Sequence, residues 1–285
     1  MNIIKETTNP LDEIFKAAGV SPGDSPAAVR NKLVEAAQSG VAKYWLAQFL
    51  TQDEYHLDLK EVVLDLAENP IANREPVLIT GPTGTGKELL AKALHGPKGV
   101  LLSTGQPNMV TFKAFNCAAL TDTLADSELF GHVEGAFTGA TGDYAGLLRA
   151  AHDGTLFLDE VGDLSLPTQG KLLRALQEKE VRPVGSTDNY PISCRVIAAT
   201  KYDLEDRITS GLFREDLYAR LMGLEVKTRG LEDRPDDIKL ILESLGLKED
   251  TYSIPPSYLP TIHRYNVRAL QAFALRWKLW RSVEI

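Results

Sequence analysis

The spacing of apolar residues changes character near residue 70. Before that point they recur at helical intervals, which predicts helices over Leu11–Ala18, Ala27–Ser39, Val41–Leu50 and Leu57–Ala67. Gly19 ends the first of these, Gly40 separates the second from the third, and Ser21–Pro26 has turn chemistry. From Pro76 onward, short continuous apolar runs take over. Pro76–Thr80, Met109–Phe115, Thr155–Leu158 and Arg195–Thr200 read as strands buried on both faces. Helical segments alternate with them: Glu88–Leu94, Leu124–Phe130, Gly146–Ala151, Leu166–Gln177 and Phe213–Leu221. That alternation predicts an α/β core with a parallel sheet flanked by helices. Beyond about Gly230 the strands stop, and Asp236–Leu245, Ser257–Thr261 and Val267–Trp280 read as helices. The expected organisation is a helical N-terminal extension over residues 1–70, an α/β core over 71–229 and a small helical lid over 230–285.

Composition narrows the class of function. An apolar fraction of 44% in 285 residues can bury one large domain and a smaller one. The net charge of −8 argues against a general affinity for nucleic acid. The two cysteines, Cys117 and Cys194, have neither disulfide-framework nor zinc spacing, so a reducing cytosol is expected. The start, MNIIKETTNPLDEIF, lacks the basic and apolar regions of a signal peptide. No apolar run reaches the roughly 18 residues of a membrane span.

The chemistry begins at Gly81, Pro82, Thr83, Gly84, Thr85, Gly86 and Lys87, which fit G-x-x-x-x-G-K between a predicted strand and a predicted helix. The glycines let backbone N–H groups turn toward phosphate oxygens, the helix N-terminus adds partial positive charge, and Lys87 adds a full one. Glu88 occupies the position where the general motif has a hydroxyl for magnesium. Downstream, Leu156–Glu160 is an apolar strand ending in two carboxylates. Beside a phosphate loop, Asp159 would hold Mg²⁺ and Glu160 would deprotonate the attacking water. ATP binding and hydrolysis are the expected activities.

A longer pattern is more specific. Asn116-Cys-Ala-Ala-Leu, Ser127-Glu-Leu-Phe-Gly-His132 and Gly135-Ala-Phe-Thr-Gly-Ala140 resemble the AAA+ domain of bacterial enhancer-binding proteins, the ATPases that activate sigma-54 RNA polymerase. The resemblance continues through Gly154–Glu160, Gln169–Gln177, Val184-Gly185, Arg195–Thr200, Phe213–Leu221 and Leu231–Ile238, and spans about residues 77–275. Glu88 is usual in that family.

The resemblance implies roles for further residues. Asn116 would hold the catalytic glutamate and couple nucleotide state to the loops; the alternative is a strand-end Asn capping the next helix. Gly135, Ala136, Phe137, Thr138, Gly139 and Ala140 would form the mobile loop that touches sigma-54, with Phe137 exposed at its tip. Arg214 and Arg220 match two arginine fingers that reach a neighbour's γ-phosphate, implying a self-assembled ring, a hexamer by analogy. They lie six positions apart on one predicted helix, about 1.7 turns, and so point in different directions. Thr200 matches a polar sensor and Arg268 a second sensor on the lid. The sequence departs from the family at Lys201, where Asn is usual. It departs again around Arg268, where His263-Arg-Tyr and Ala269 replace Trp-Pro-Gly and Glu. A helix-surface arginine is therefore the competing reading of Arg268. Residues 269–285 are too few for a helix-turn-helix, so sequence-specific DNA binding is not expected from this chain. Two other readings stay open: an AAA+ motor acting on another client, and a nucleotide-binding regulatory module with vestigial hydrolysis.

Overall fold

The computed structural model describes residues 75–95, 99–101, 107–109, 111–247 and 252–283, together with Leu59 and Val63. The helices expected within residues 1–70 lie outside the described residues except at those two positions. Leu59 and Val63, four apart, are buried against the α/β core.

Five parallel strands form the central sheet: β1 (Val77–Thr80), β4 (Phe112–Asn116), β5 (Thr155–Asp159), β8 (Arg195–Thr200) and β9 (Leu224–Lys227), in the spatial order β4-β5-β8-β1-β9. Their side chains alternate between two cores. Leu78, Leu156, Leu158, Val196 and Ala198 face one cluster; Val77, Ile79, Phe157, Ile197 and Ala199 face the other. Burial on both faces is why β1, β5 and β8 read as unbroken apolar runs. Two short antiparallel pairs lie outside this sheet: β2 (Gly99–Leu101) with β3 (Pro107–Met109), and β6 (Glu180–Val181) with β7 (Tyr190–Pro191).

The crossover helices are α1 (Lys87–His95), α2 (Asp122–Phe130), α3 (Leu147–Ala150), α4 (Leu166–Glu178), α5 (Leu204–Thr209) and α6 (Glu215–Leu221). In α4, Pro167 sits in the first turn, where its missing N–H costs nothing, and Leu172, Leu173, Ala175 and Leu176 are buried. The lid comprises α7 (Asp236–Ser244), α8 (Leu259–Tyr265) and α9 (Val267–Val283). It has its own apolar cluster around Leu231, Leu242, Ile262 and Leu270.

Three local expectations need correction. The single strand expected over Met109–Phe115 is two: Met109 pairs back on Gly99, while Phe112–Asn116 joins the main sheet beside β5. Arg214 does not lie on a helix with Arg220. Its backbone is extended (φ −86°, ψ 130°) and it caps α6, which starts at Glu215. Strand β9 was not anticipated, because only Val226 of its four residues is buried and no apolar run marks it.

Parallel pairing brings the strand tips level. Thr80 is in register with Thr200, and Asn116 with Asp159. The loops leaving these tips share one edge of the sheet, the place where an open α/β fold collects ligands.

Candidate nucleotide site

A cleft of 390 Å³ opens at that edge, lined by Thr83–Leu89 and Lys92 on one side, Asp159 and Glu160 at its base, and Arg234, Val267, Arg268 and Gln271 from the lid. It brings Lys87, Glu88, Asp159, Glu160 and Arg268 together. Arg214, Arg220 and the 135–140 loop lie elsewhere.

The loop after β1 is shaped by contacts that exclude side chains. A Cβ on Gly81 (φ +144°) would collide with the Thr228 hydroxyl and carbonyl, and one on Gly84 (φ +78°) with the Tyr265 carbonyl. Only glycine tolerates such backbone at that proximity. Gly81 N–H donates to the Thr200 carbonyl at 3.2 Å, so the buried Thr200 anchors the loop from beneath and does not face the cleft. The Thr85 and Thr228 hydroxyls meet at 2.7 Å in the buried floor.

Lys87 is 6% exposed; its Nζ donates to the Gly81 and Pro82 carbonyls at 2.9 and 3.1 Å and lies 3.9 Å from Glu160 Oε1. Burial lowers its pKa, opposed by the charges of Glu160 and Asp159. Asp159 shows the reverse: burial raises its pKa, Glu160 adds to the rise, and Lys87 and Arg268 oppose it. Two carboxylates converging on a partly desolvated floor favour a bound cation. The donors are all oxygen, the chemistry of Mg²⁺, which characteristically takes one or two carboxylates and completes its shell with phosphates and water. Asp159 fits that requirement, with Glu160 beside it left to act as base, and among the described residues no larger acidic or histidine cluster competes. Glu88 is 59% exposed and pairs with Lys92 at 2.8 Å.

Glu160 has a left-handed backbone (φ 54°, ψ 46°), uncommon outside glycine and a recurrent feature of functional sites. Its Oε2 accepts from the Lys201 backbone N–H at 3.1 Å and lies 3.6 Å from Lys201 Nζ. Asn116, read above as the holder of Glu160, meets Asp159 instead: its Nδ2 is 3.5 Å from Asp159 Oδ2, and its Oδ1 accepts from Ala118 N–H at 3.0 Å. The second contact caps the turn directly after β4 and not the next helix, α2, whose N-cap is Thr121.

Neither arginine offered for a neighbouring subunit is free of its own chain. Arg214 forms two hydrogen bonds to Asp216, at 3.0 and 2.7 Å. Arg220 donates to the Leu176 carbonyl at 3.2 Å and lines a small pocket with Glu75, Lys179 and Cys194.

The 135–140 segment is a compact turn: Gly135 N–H donates to the Ala140 carbonyl and Ala140 N–H to the Phe137 carbonyl, both at 3.0 Å. Phe137 is not exposed at the tip as expected. It is half-buried, with its ring edge-on to His132 at 5.1 Å, and His132 Nδ1 lies 2.7 Å from the Ser127 hydroxyl. Thr138 is exposed and Ala140 buried. At the neck of the loop Gly131 and Gly146 meet back to back; a Cβ on Gly146 would strike the Phe130 and Gly131 backbone. His132 there bridges both Tyr144 and Val184.

Two further buried amides shape the site without a motif of their own. Asn266 is fully buried; its Oδ1 accepts from Leu231 N–H and its Nδ2 donates to the Thr83 carbonyl at 3.0 Å. Gln169 is also fully buried and bonds the Leu164 and Leu212 carbonyls and the Arg214 N–H. A polar amide in an otherwise apolar helical pattern was the available signal for Gln169. Nothing in the spacing around Asn266 marks its burial.

Residues 30–227 match the family described as the Sigma-54 interaction domain. The chain belongs to that family. It is 44% identical over 201 residues to the transcriptional regulatory protein GlrR of Escherichia coli K12, covering 70% of this chain and 43% of that protein. It is 52% identical over 162 residues to the sigma54-dependent transcriptional activator SfnR of Pseudomonas putida, covering 57% of this chain and 42% of that protein. The chain thus spans less than half the length of these relatives. Among solved structures, NtrX from Brucella abortus matches with a TM-score of 0.64 and 27% identity, over 90% of this chain and 58% of that one. NtrX in complex with ATP matches with a TM-score of 0.61 and 26% identity, over 90% of this chain and 56% of that one. The fold is that of an AAA+ domain, as the alternation of strands and helices and the motif pattern predict. Among the described residues no helix is long and apolar enough to cross a membrane.

Proposed function

We propose that this chain is an ATP-hydrolysing ring motor that remodels sigma-54 RNA polymerase through its 135–140 loop. The observation that carries the reading is the convergence of Lys87, Asp159, Glu160 and Arg268 on one cleft behind the glycine loop. The cleft supplies what phosphoryl transfer needs, which is positioning and charge stabilisation more than covalent chemistry. Lys87 and the loop's N–H groups would hold the phosphates, and Arg268 would contact them from the lid. Asp159 would hold Mg²⁺, whose contribution is to neutralise phosphate charge. Glu160 would take the proton from the attacking water. An Arg214 released from Asp216 could reach across to a neighbouring subunit, and a finger of that kind is worth roughly 10³–10⁵ in rate in related enzymes. The family match supports sigma-54 as client.

The test is the ATPase rate per protomer against protein concentration. A steep rise supports active sites shared between subunits; a flat profile removes the ring. Lys87→Ala and Glu160→Gln should both stop turnover, and a wild-type rate no faster than theirs would favour the regulatory-module reading. Trapping with ATP and a γ-phosphate transition-state mimic should yield a complex with sigma-54. Normal turnover with no complex would point to a different client.

A further inference from the structure

Lys201 gives the acidic centre a connection that neither the phosphate loop nor the lid provides. Its backbone N–H and its ammonium both address Glu160 Oε2, at 3.1 and 3.6 Å, while the other oxygen, Oε1, faces Lys87 and the cleft at 3.9 Å. The ammonium is itself held. Its shortest contact is Asp163 Oδ2 at 2.8 Å, and it lies over the Tyr202 ring at 4.4 Å, with Arg207 against the same ring at 4.1 Å. Asp163 ends the short 3₁₀ turn Val161–Asp163 that follows Glu160, so the chain doubles back to place both carboxylates around one ammonium. Burial alone would lower the Lys201 pKa, but the Asp163 hydrogen bond, Tyr202 and the charges of Glu160 and Asp163 outweigh it and hold the group protonated.

We propose that the ammonium of Lys201 positions Glu160, steering Oε2 in a way the backbone N–H alone does not, so that Oε1 is presented to the cleft, and that Asp163 fixes that ammonium. In this structure the Asn116 amide is 3.5 Å from Asp159 and makes no bond to Glu160. The inference rests on Glu160 being the base. It differs from a phosphate-sensing role, which would appear in nucleotide affinity; a base whose oxygen keeps the N–H but loses the ammonium swings out of line, loses turnover and leaves binding alone.

Steady-state ATP hydrolysis should be measured at a protein concentration where the rate per protomer has levelled, for the wild type and for Lys201→Met, Lys201→Arg, Asp163→Asn and the Lys201→Met/Asp163→Asn pair. Misplacing a general base costs about 10- to 100-fold, so kcat should fall by that factor in Lys201→Met with KM for ATP within about twofold of wild type. Lys201→Arg should recover most of the loss, and the double variant should be no worse than Lys201→Met, since both changes break one chain of contacts. A wild-type kcat in Lys201→Met, a loss confined to KM, or additive losses in the pair would overturn the proposal. A crystal structure of Lys201→Met gives a second readout that needs no turnover: the Glu160 carboxylate should leave its present orientation, and an unmoved carboxylate rejects the positioning role. Wild-type protein without turnover, unaffected by Glu160→Gln, would instead defeat the ATPase reading and this inference with it.

Discussion

The side-chain amide of Asn266 donates to the carbonyl oxygen of Thr83 at 3.0 Å, so the junction between two lid helices is bonded directly to the phosphate loop. The same side chain accepts from Leu231 N–H, where the chain enters the lid. Val267 N–H reinforces the link by donating to the Gly84 carbonyl at 3.2 Å. Lid orientation and loop shape are therefore one structural quantity. Asn266→Ala should raise KM for ATP and cost about 1–3 kcal/mol of stability, because it strands the buried Leu231 N–H. Asn266 also has φ 51°, so Asn266→Gly should recover the backbone part of the loss and none of the nucleotide affinity. Urea denaturation and ATP titration of the two variants separate these effects. An unchanged KM in folded Asn266→Ala would show that apolar packing alone holds the lid.

Gln169 connects α4 to the segment carrying Arg214. Its Oε1 accepts the Arg214 N–H at 2.9 Å, and its Nε2 serves the Leu164 and Leu212 carbonyls at 2.8 and 3.1 Å. Gln169→Leu keeps the volume but leaves three backbone groups without that partner, at about 1–3 kcal/mol for each one left unsatisfied. ATPase activity in assembled protein should drop steeply while binding of a non-hydrolysed ATP analogue persists. Retention of full turnover would mean that the Arg214 backbone is fixed by other contacts.

Asp159 sets a stability cost against function. Its pKa is raised by burial first and by Glu160 second, so between its ordinary value of 3.8 and the raised one the folded protein binds more protons than the unfolded chain. Stability must then fall as pH rises through that window, and the ionised carboxylate remains a cost above it. Asp159→Asn should raise the melting temperature at neutral pH and flatten its acid-side dependence, while abolishing hydrolysis. A lower Tm for Asp159→Asn would show that the charge is compensated in the native fold.

The Phe137 ring rests on His132 at 5.1 Å, an edge-on pairing worth about 0.5–1.5 kcal/mol. His132→Ala removes that support together with the Ser127 contact. The loop over 135–140 should become more susceptible to limited proteolysis, with ATP turnover within about twofold of wild type. Thr138→Ala, at an exposed position that touches nothing in the cleft, should abolish activation of sigma-54 polymerase and spare hydrolysis.

The parts of this architecture that were legible in the sequence are those where local pattern and burial agree. β1, β5 and β8 are buried on both faces, so Val77–Thr80, Thr155–Asp159 and Arg195–Thr200 carry a continuous apolar signal. Glycine loop, helix start and paired acids follow from spacing alone. β9 was illegible because an edge strand with one buried residue has no pattern to detect. The division of Met109 from Phe112 was hidden because both halves are extended, and only pairing partners separate them. Side-chain partners were the hardest to read. Asn116 lies opposite Asp159 by strand register, whereas Glu160 turns away through a left-handed backbone that spacing does not encode. The ammonium of Lys201 occupies the space toward which Glu160 turns.

The back-to-back contact of Gly131 and Gly146 sets the footing of the loop beyond it. Two backbone segments cross there without room for a methyl group, and His132 is stitched to both Tyr144 and Val184. Such a crossing leaves neither segment room to shift without parting from the other. A methyl introduced at Gly146 must push the two segments apart, so Gly146→Ala should loosen the footing of residues 135–140 and lower the melting temperature, while the cleft, which this contact does not line, keeps its nucleotide affinity.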